Sequence, residues 1–290
     1  MLGLILMLLA AISLGWSQVQ PLPFELQRPD RSYKLPQELL EISALTDVDE
    51  HTIACLHDEA AQLYFMDLRS GQVVRGSQFA DPGDMEGLTR VGDEYFALRS
   101  DGLVYRLGLN EDEVVVRDTF TLRIPNRNIE GLGWDERNGV ILISPKDIPK
   151  GKPEVRDKRK IFCYDPQSRR MCDRPALTLS LRQVVDQARR LGMEIPTKTT
   201  DKGRVVPALK MRFSSVAIDP FTDHFYLLSA ADRVLLVVDR EGGLVALEVL
   251  DEKLFAKPEG ITFLPSGDML ISNEGKGSPP NVHRFGRKKH

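Results

Sequence analysis

The chain has 290 residues, 42% of them apolar, which is enough to bury a sizeable core in one large domain. Its formal net charge of −3 excludes a general nucleic-acid binder, since phosphate contacts need a basic face. The cysteines at 55, 163 and 172 show no zinc-ligand spacing, and no nucleophile elbow or phosphate-cradling glycine loop occurs.

Residues 1–17 form an apolar run ending in Gly15-Trp16-Ser17, the pattern of a secretory signal peptide cleaved before Gln18. The run lacks a basic start and is slightly short for a spanning helix, so a retained N-terminal anchor with membrane association is the alternative. Either reading places residues 18–290 outside the cytoplasm: periplasmic, cell-surface or secreted.

A short motif then recurs. Met85-Glu86-Gly87-Leu88, Ile129-Glu130-Gly131-Leu132 and Pro258-Glu259-Gly260-Ile261 each open an apolar strand, and serine takes the glutamate slot in Ser43-Ala44-Leu45 and Ser214-Ser215-Val216. Successive slots are separated by 43, 44, 84 and 45 residues. A period of this length built from short strands predicts an all-β fold, a single β-propeller of four-stranded antiparallel blades. Fourteen residues after each slot (fifteen after Ser214) a second strand ends in polar residues. Antiparallel pairing brings slot and polar cluster to one edge of the blade, around the mouth of the central channel.

In chain order the predicted blades are 43–79, 86–124, 130–180, 214–250 and one starting at 259. The last lacks a fourth strand, which residues near Leu22–Leu26 or Tyr33–Leu35 would supply, closing the ring and removing an exposed edge. The double gap is the ambiguous point. The third blade has four strands by residue 180, and Ser180–Gly192 has apolar residues at helical spacing with a serine start and a glycine stop. Residues 181–210 therefore read as an insertion, a short helix near 181–192 followed by loop at 193–210, and five blades are expected with six as the alternative. Cys163 and Cys172 flank a hairpin-like segment and face each other as a disulfide pair, which export permits. Cys55 reads as a buried thiol.

Glu41-Ile42-Ser43-Ala44-Leu45, the two Glu-Gly-Leu motifs, Phe213-Ser214-Ser215-Val216-Ala217-Ile218-Asp219, and Pro-Glu-Gly-Ile running on to Leu270-Ile271-Ser272-Asn273-Glu274 resemble the SdiA-regulated, YjiK-like β-propeller family. The resemblance spans roughly residues 36–285 and rests on the order and spacing of the five motifs. It implies an exported or membrane-anchored bacterial propeller, distantly similar to phytase-like and calcium-associated propellers, and implies no particular reaction. This chain departs from the family pattern at His57, where a serine or threonine is usual, and in the insertion at 181–210.

Glu86, Glu130 and Glu259 occupy equivalent positions around one axis, where like charges repel and raise one another's pKa. A divalent cation would remove the conflict. Calcium suits the case, because it takes six to eight oxygen ligands in flexible geometry, with Ser43 and Ser214 as lesser ligands. The structural alternative is that each glutamate caps backbone N–H groups of the neighbouring blade. The outer ring of polar strand ends offers ligand-binding candidates: His57, Asp58, Glu59, Asp101, Lys146, Asp147, Asp232, Arg233, Asn273 and Glu274. Two functions follow as expectations. One is an exported propeller that binds a divalent cation and, on the same face, a small molecule or protein partner. The other is a metal-dependent phytase-like phosphoesterase or esterase.

Overall fold

Each period of the repeat folds into one antiparallel sheet in the computed structural model, which describes residues 21–111, 113–275 and 277–288. The expected signal or anchor at 1–17 lies outside the described residues. The first blade comprises Ile42–Asp47, Thr52–His57, Gln62–Asp67 and Gln72–Gln78, in sequence order from the axis outward. The second comprises Met85–Val91, Glu94–Arg99, Leu103–Asn110 and Glu113–Thr121. The third runs Ile129–Asp135, Val140–Pro145 and Lys158–Asp165, and its outer edge is split between Arg170–Met171 and Leu177–Ser180. The fourth is Ser215–Ile218, Phe225–Ser229, Val234–Val238 and Leu244–Val249. The fifth is Pro258–Phe263, Met269–Asn273 and Asn281–Phe285, completed on the outside by Arg31–Lys34.

The first strand of each blade packs against the first strands of both neighbours, and the fifth returns to the first. The result is a closed five-bladed propeller, and the 84-residue gap holds one blade and an insertion. Closure comes from the N-terminal strand, whose Tyr33 pairs with Val282.

Blades stack face to face, so their middle strands are buried on both sides and read as continuous apolar runs rather than alternating ones. In Val234–Val238 every residue is buried. Val234, Leu236 and Val238 face the third blade, and Leu235 and Val237 face the fifth. The same alternation around the ring divides the interior into five apolar clusters, one per blade interface. Phe24 and Leu26 complete the cluster between the fourth and fifth blades.

In the insertion, helix Leu181–Arg190 starts at Ser180, whose hydroxyl accepts the Gln183 N–H at 3.3 Å, and buries Val184, Val185 and Ala188. Gly192 follows at φ +68°. The expectation of loop for 193–210 is corrected: Thr197–Thr199 and Val205–Pro207 pair as a short hairpin. β-Branched threonines and valines favour extended backbone, and Gly203 at φ +72° supplies the turn.

Cys163 and Cys172 are joined by a disulfide with their Cα atoms 5.4 Å apart. Cys55 is a buried thiol pushed up to about 12 by burial. Among the described residues no helix is long and apolar enough to cross a membrane.

Candidate functional site

The glutamate slot is a β-bulge. In four blades the pairing of the first two strands skips one residue: Ile42 opposes His57, Met85 opposes Arg99, Ile129 opposes Pro145 and Pro258 opposes Asn273, after which the register resumes at Ala44, Gly87, Gly131 and Gly260. The skipped residues are Ser43, Glu86, Glu130 and Glu259. A bulge re-aims the extra side chain and sharpens the local twist, which is how a residue at the head of the innermost strand leaves the blade stack. The following glycine is needed for close approach. A Cβ on Gly87 would lie 2.5 Å from the Glu130 carbonyl oxygen, and one on Gly131 would lie 2.9 Å from the Ser215 Cα.

The three glutamates and their neighbours form one electrostatic network, but they are not equivalent. Glu130 is fully buried, and its Oε1 takes the Lys146 ammonium at 2.5 Å and the Asn128 amide at 3.1 Å, while its Oε2 is buried without a partner. Glu259 lies 3.3 Å from Lys257, whose ammonium also bonds Glu274. Burial works against both ammonium groups, yet the carboxylates around them outweigh it and hold each lysine above its ordinary pKa.

Glu86 faces other acids. Its carboxyl is pushed up to about 9, first by burial and then by Glu130 and Asp58. Asp58 is pushed up to about 7 by burial and Asp84. Glu259 also rises to about 7, through burial, despite its lysine. One oxygen each from Asp58, Asp84 and Glu86 lie within 4.8 Å of one another. Ligand oxygens at about 2.3–2.6 Å from a calcium ion fall within that separation.

The remaining candidates are engaged locally. The Ser43 hydroxyl donates to the Leu56 carbonyl, and that of Ser214 to those of Leu228 and Pro258. His57 uses Nδ1 to accept the N–H groups of Glu59 and Ala60 at 3.2 and 3.3 Å, bracing its own turn, and Glu59 is exposed. Asp101 pairs with Arg99 at 2.8 Å, and Arg233 with Glu252 at 2.7 Å. Asp147 accepts the N–H groups of Arg127 and Asn128, and Asp232 those of Lys210 and Met211. Asn273 is fully buried and bonds Asn281 at 2.9 Å.

Asp84, Asn128 and Lys257 were not singled out in the sequence. Each stands two residues before a slot glutamate, so the repeat phase that marks the slots also marks them.

A second feature absent from the sequence reading lies at the far end of the same strands. There a cavity of about 790 Å³ is lined by the C-terminal halves of all five innermost strands. Nearest the carboxylate mouth its wall is Leu45, Leu88, Leu132, Val216 and Ile261, followed by Thr46, Thr89 and Thr262. Its outer rim takes one residue per blade: Asp47, Arg90, Trp134, Ile218 and Phe263.

A model of the SdiA-regulated family matches residues 34–282. No curated protein matches the chain by sequence. Among solved structures, the glutaminyl cyclase of Myxococcus xanthus superposes with a TM-score of 0.57 at 12% identity, over 89% of this chain and 94% of that one. A luciferin-regenerating enzyme follows at 0.48 and 7% identity, over 88% and 95% of the two chains. The WD40 domain of Neurospora crassa Pan2 gives 0.39 at 11% identity, over 88% and 65%. The first likeness shows the fold alone; the other two are too loose to carry an argument.

Proposed function

The chain belongs to the SdiA-regulated family, and from its fold and its crowded carboxylates we propose that it is an exported binding propeller that holds a divalent cation at the channel mouth. The observation that carries this reading is the imbalance of charge. Asp58, Asp84, Glu86, Glu130, Glu259 and Glu274 share two ammonium groups, and both of those sit on the Glu130 and Glu259 side. Asp58, Asp84 and Glu86 are the residues that would hold the cation, with the unpartnered Oε2 of Glu130 belonging to the same network. An all-oxygen set without histidine or cysteine favours calcium over zinc. Bound there, the cation would offset two of the cluster's excess negative charges and present a Lewis-acidic face to a small molecule or protein partner. The Cys163–Cys172 disulfide supports an oxidising compartment, and so export. A phytase-like phosphoesterase is the less favoured reading, because Lys146 and Lys257 are committed to carboxylates and are not available to a phosphate.

The test is calcium titration by calorimetry, alongside metal analysis of the purified protein. Wild type should bind one equivalent, and Glu86→Gln or Asp58→Asn should weaken binding on the order of tenfold or more while the propeller still melts cooperatively. Unchanged calcium affinity in both variants, or no binding by wild type, would overturn the reading.

A further inference from the structure

We propose that the cavity at the far end of the channel binds a zwitterionic α-amino acid with an apolar side chain, its carboxylate on Arg90 and its ammonium on Asp47. The inference is independent of the cation site, which lies at the opposite end of the innermost strands.

The size is that of a ligand pocket: about 790 Å³, within the roughly 300–1,000 Å³ that small-molecule sites occupy. It accommodates an amino acid with room for a second residue. The chemistry follows from which charges in its wall are already satisfied. Asp219 is buried against Arg287, and Asp223 is shared by Arg137 and Arg240. Asp47 and Arg90 differ. They stand on adjacent blades at equivalent positions and influence one another, yet among the described residues neither is in an ion pair.

Asp47 is braced for a cation. Its Oδ1 accepts the Thr262 hydroxyl at 3.1 Å, and its backbone N–H donates to the Thr262 Oγ1 at 3.4 Å, fixing the carboxyl at the rim. Burial holds that carboxyl above its ordinary pKa, against the lowering effects of Thr262 and Arg90. An incoming ammonium would relieve this, and the ligand's carboxylate would give Arg90 the counterion it lacks. The remaining three blades bring Trp134, Ile218 and Phe263 to the wall beside the two charges, and the exposed Glu136 is the one further acid of the lining without an ion pair among the described residues. Two opposite charges beside an apolar wall match an amino acid's charged backbone and apolar side chain.

The experiment titrates the full chain with L-phenylalanine, its amide and its N-acetyl derivative, following heat and Trp134 emission, with Trp134→Phe as the optical control. Free phenylalanine should bind and raise the melting temperature. Removing either ligand charge should weaken binding on the order of tenfold or more. Arg90→Gln should weaken phenylalanine but not its amide, whereas Asp47→Asn should weaken phenylalanine but not the N-acetyl derivative. This crossed pattern cannot arise from misfolding. Glu86→Gln, at the other mouth, should bind phenylalanine like wild type whether or not it has lost calcium. Equal binding of the blocked and free ligands, uncrossed variants, or no binding by wild type at millimolar concentration would overturn the proposal.

Discussion

Glu130 and Glu259 each hold a lysine, while Glu86 meets Asp58 and Asp84, and that asymmetry sets the pH behaviour of the mouth. Glu86 rises to about 9 and Asp58 and Glu259 to about 7, all above the usual carboxylate range. The folded state then holds more protons than the unfolded chain across that window. The stability these groups contribute is complete at acidic pH and is lost as pH rises through about 7 and then about 9. Calorimetric melting in chelator should therefore show a falling melting temperature from pH 5 to 9, and calcium should flatten the profile. A flat or rising profile in chelator would rule out this crowding. The glycine beside each slot gives a separate expectation. Gly87→Ala drives a Cβ to 2.5 Å from the Glu130 carbonyl oxygen, an overpacking that should cost about 1–3 kcal/mol in denaturant unfolding. The glutamates were legible in the sequence because they share a phase. Their bulge was not, since it depends on which partner residue the hydrogen bonds skip. Lys257, two residues before Glu259, stood in the repeat phase, but the pairing of Lys146 with Glu130 was not legible, because the two meet across paired strands sixteen residues apart and not through a local spacing.

At the scale of elements, legibility followed how local the determining forces are. Helix Leu181–Arg190 was visible because its start, apolar stripe and stop all lie within its own sequence. Ser180→Ala should remove the hydroxyl that accepts the Gln183 N–H and cost about 1 kcal/mol. The loss should be partial at that end, because Asp157 separately accepts the Arg182 N–H at 3.0 Å; helix-resolved hydrogen exchange would locate it. The hairpin Thr197–Thr199 with Val205–Pro207 escaped detection because each arm has only three residues, too few for a period-two pattern. The split outer edge of the third blade has a similar origin. Strand Lys158–Asp165 is long enough to pair with Arg170–Met171 at one end and Leu177–Ser180 at the other, and the disulfide sits at the break.

For the whole molecule, the ring is closed by hydrogen bonds between its two ends. Arg31–Lys34 pairs with Asn281–Phe285, and Asp30 accepts the Gly286 N–H at 2.7 Å. Without that strand the fifth blade would have three strands and an open edge carrying the unpaired donors and acceptors of Asn281–Phe285. Such an edge templates pairing with another chain. The loss would extend beyond the sheet. Phe24 and Leu26 fill the cluster between the fourth and fifth blades, and Tyr33 and Leu35 fill the one between the fifth and first. A chain beginning at Pro36 would therefore weaken two of the five blade interfaces at once, and in a closed ring those interfaces support one another. The expected outcome is a lower melting temperature and concentration-dependent association by light scattering. A chain beginning at Gln18 keeps every one of these contacts and should stay monodisperse. Because both sites are assembled from the innermost strands of several blades, the shorter chain should lose calcium and amino-acid binding together, whereas the single-residue variants at either mouth should lose one and keep the other. Retention of both in the chain beginning at Pro36 would show that four strands in the fifth blade are not required to hold the ring closed.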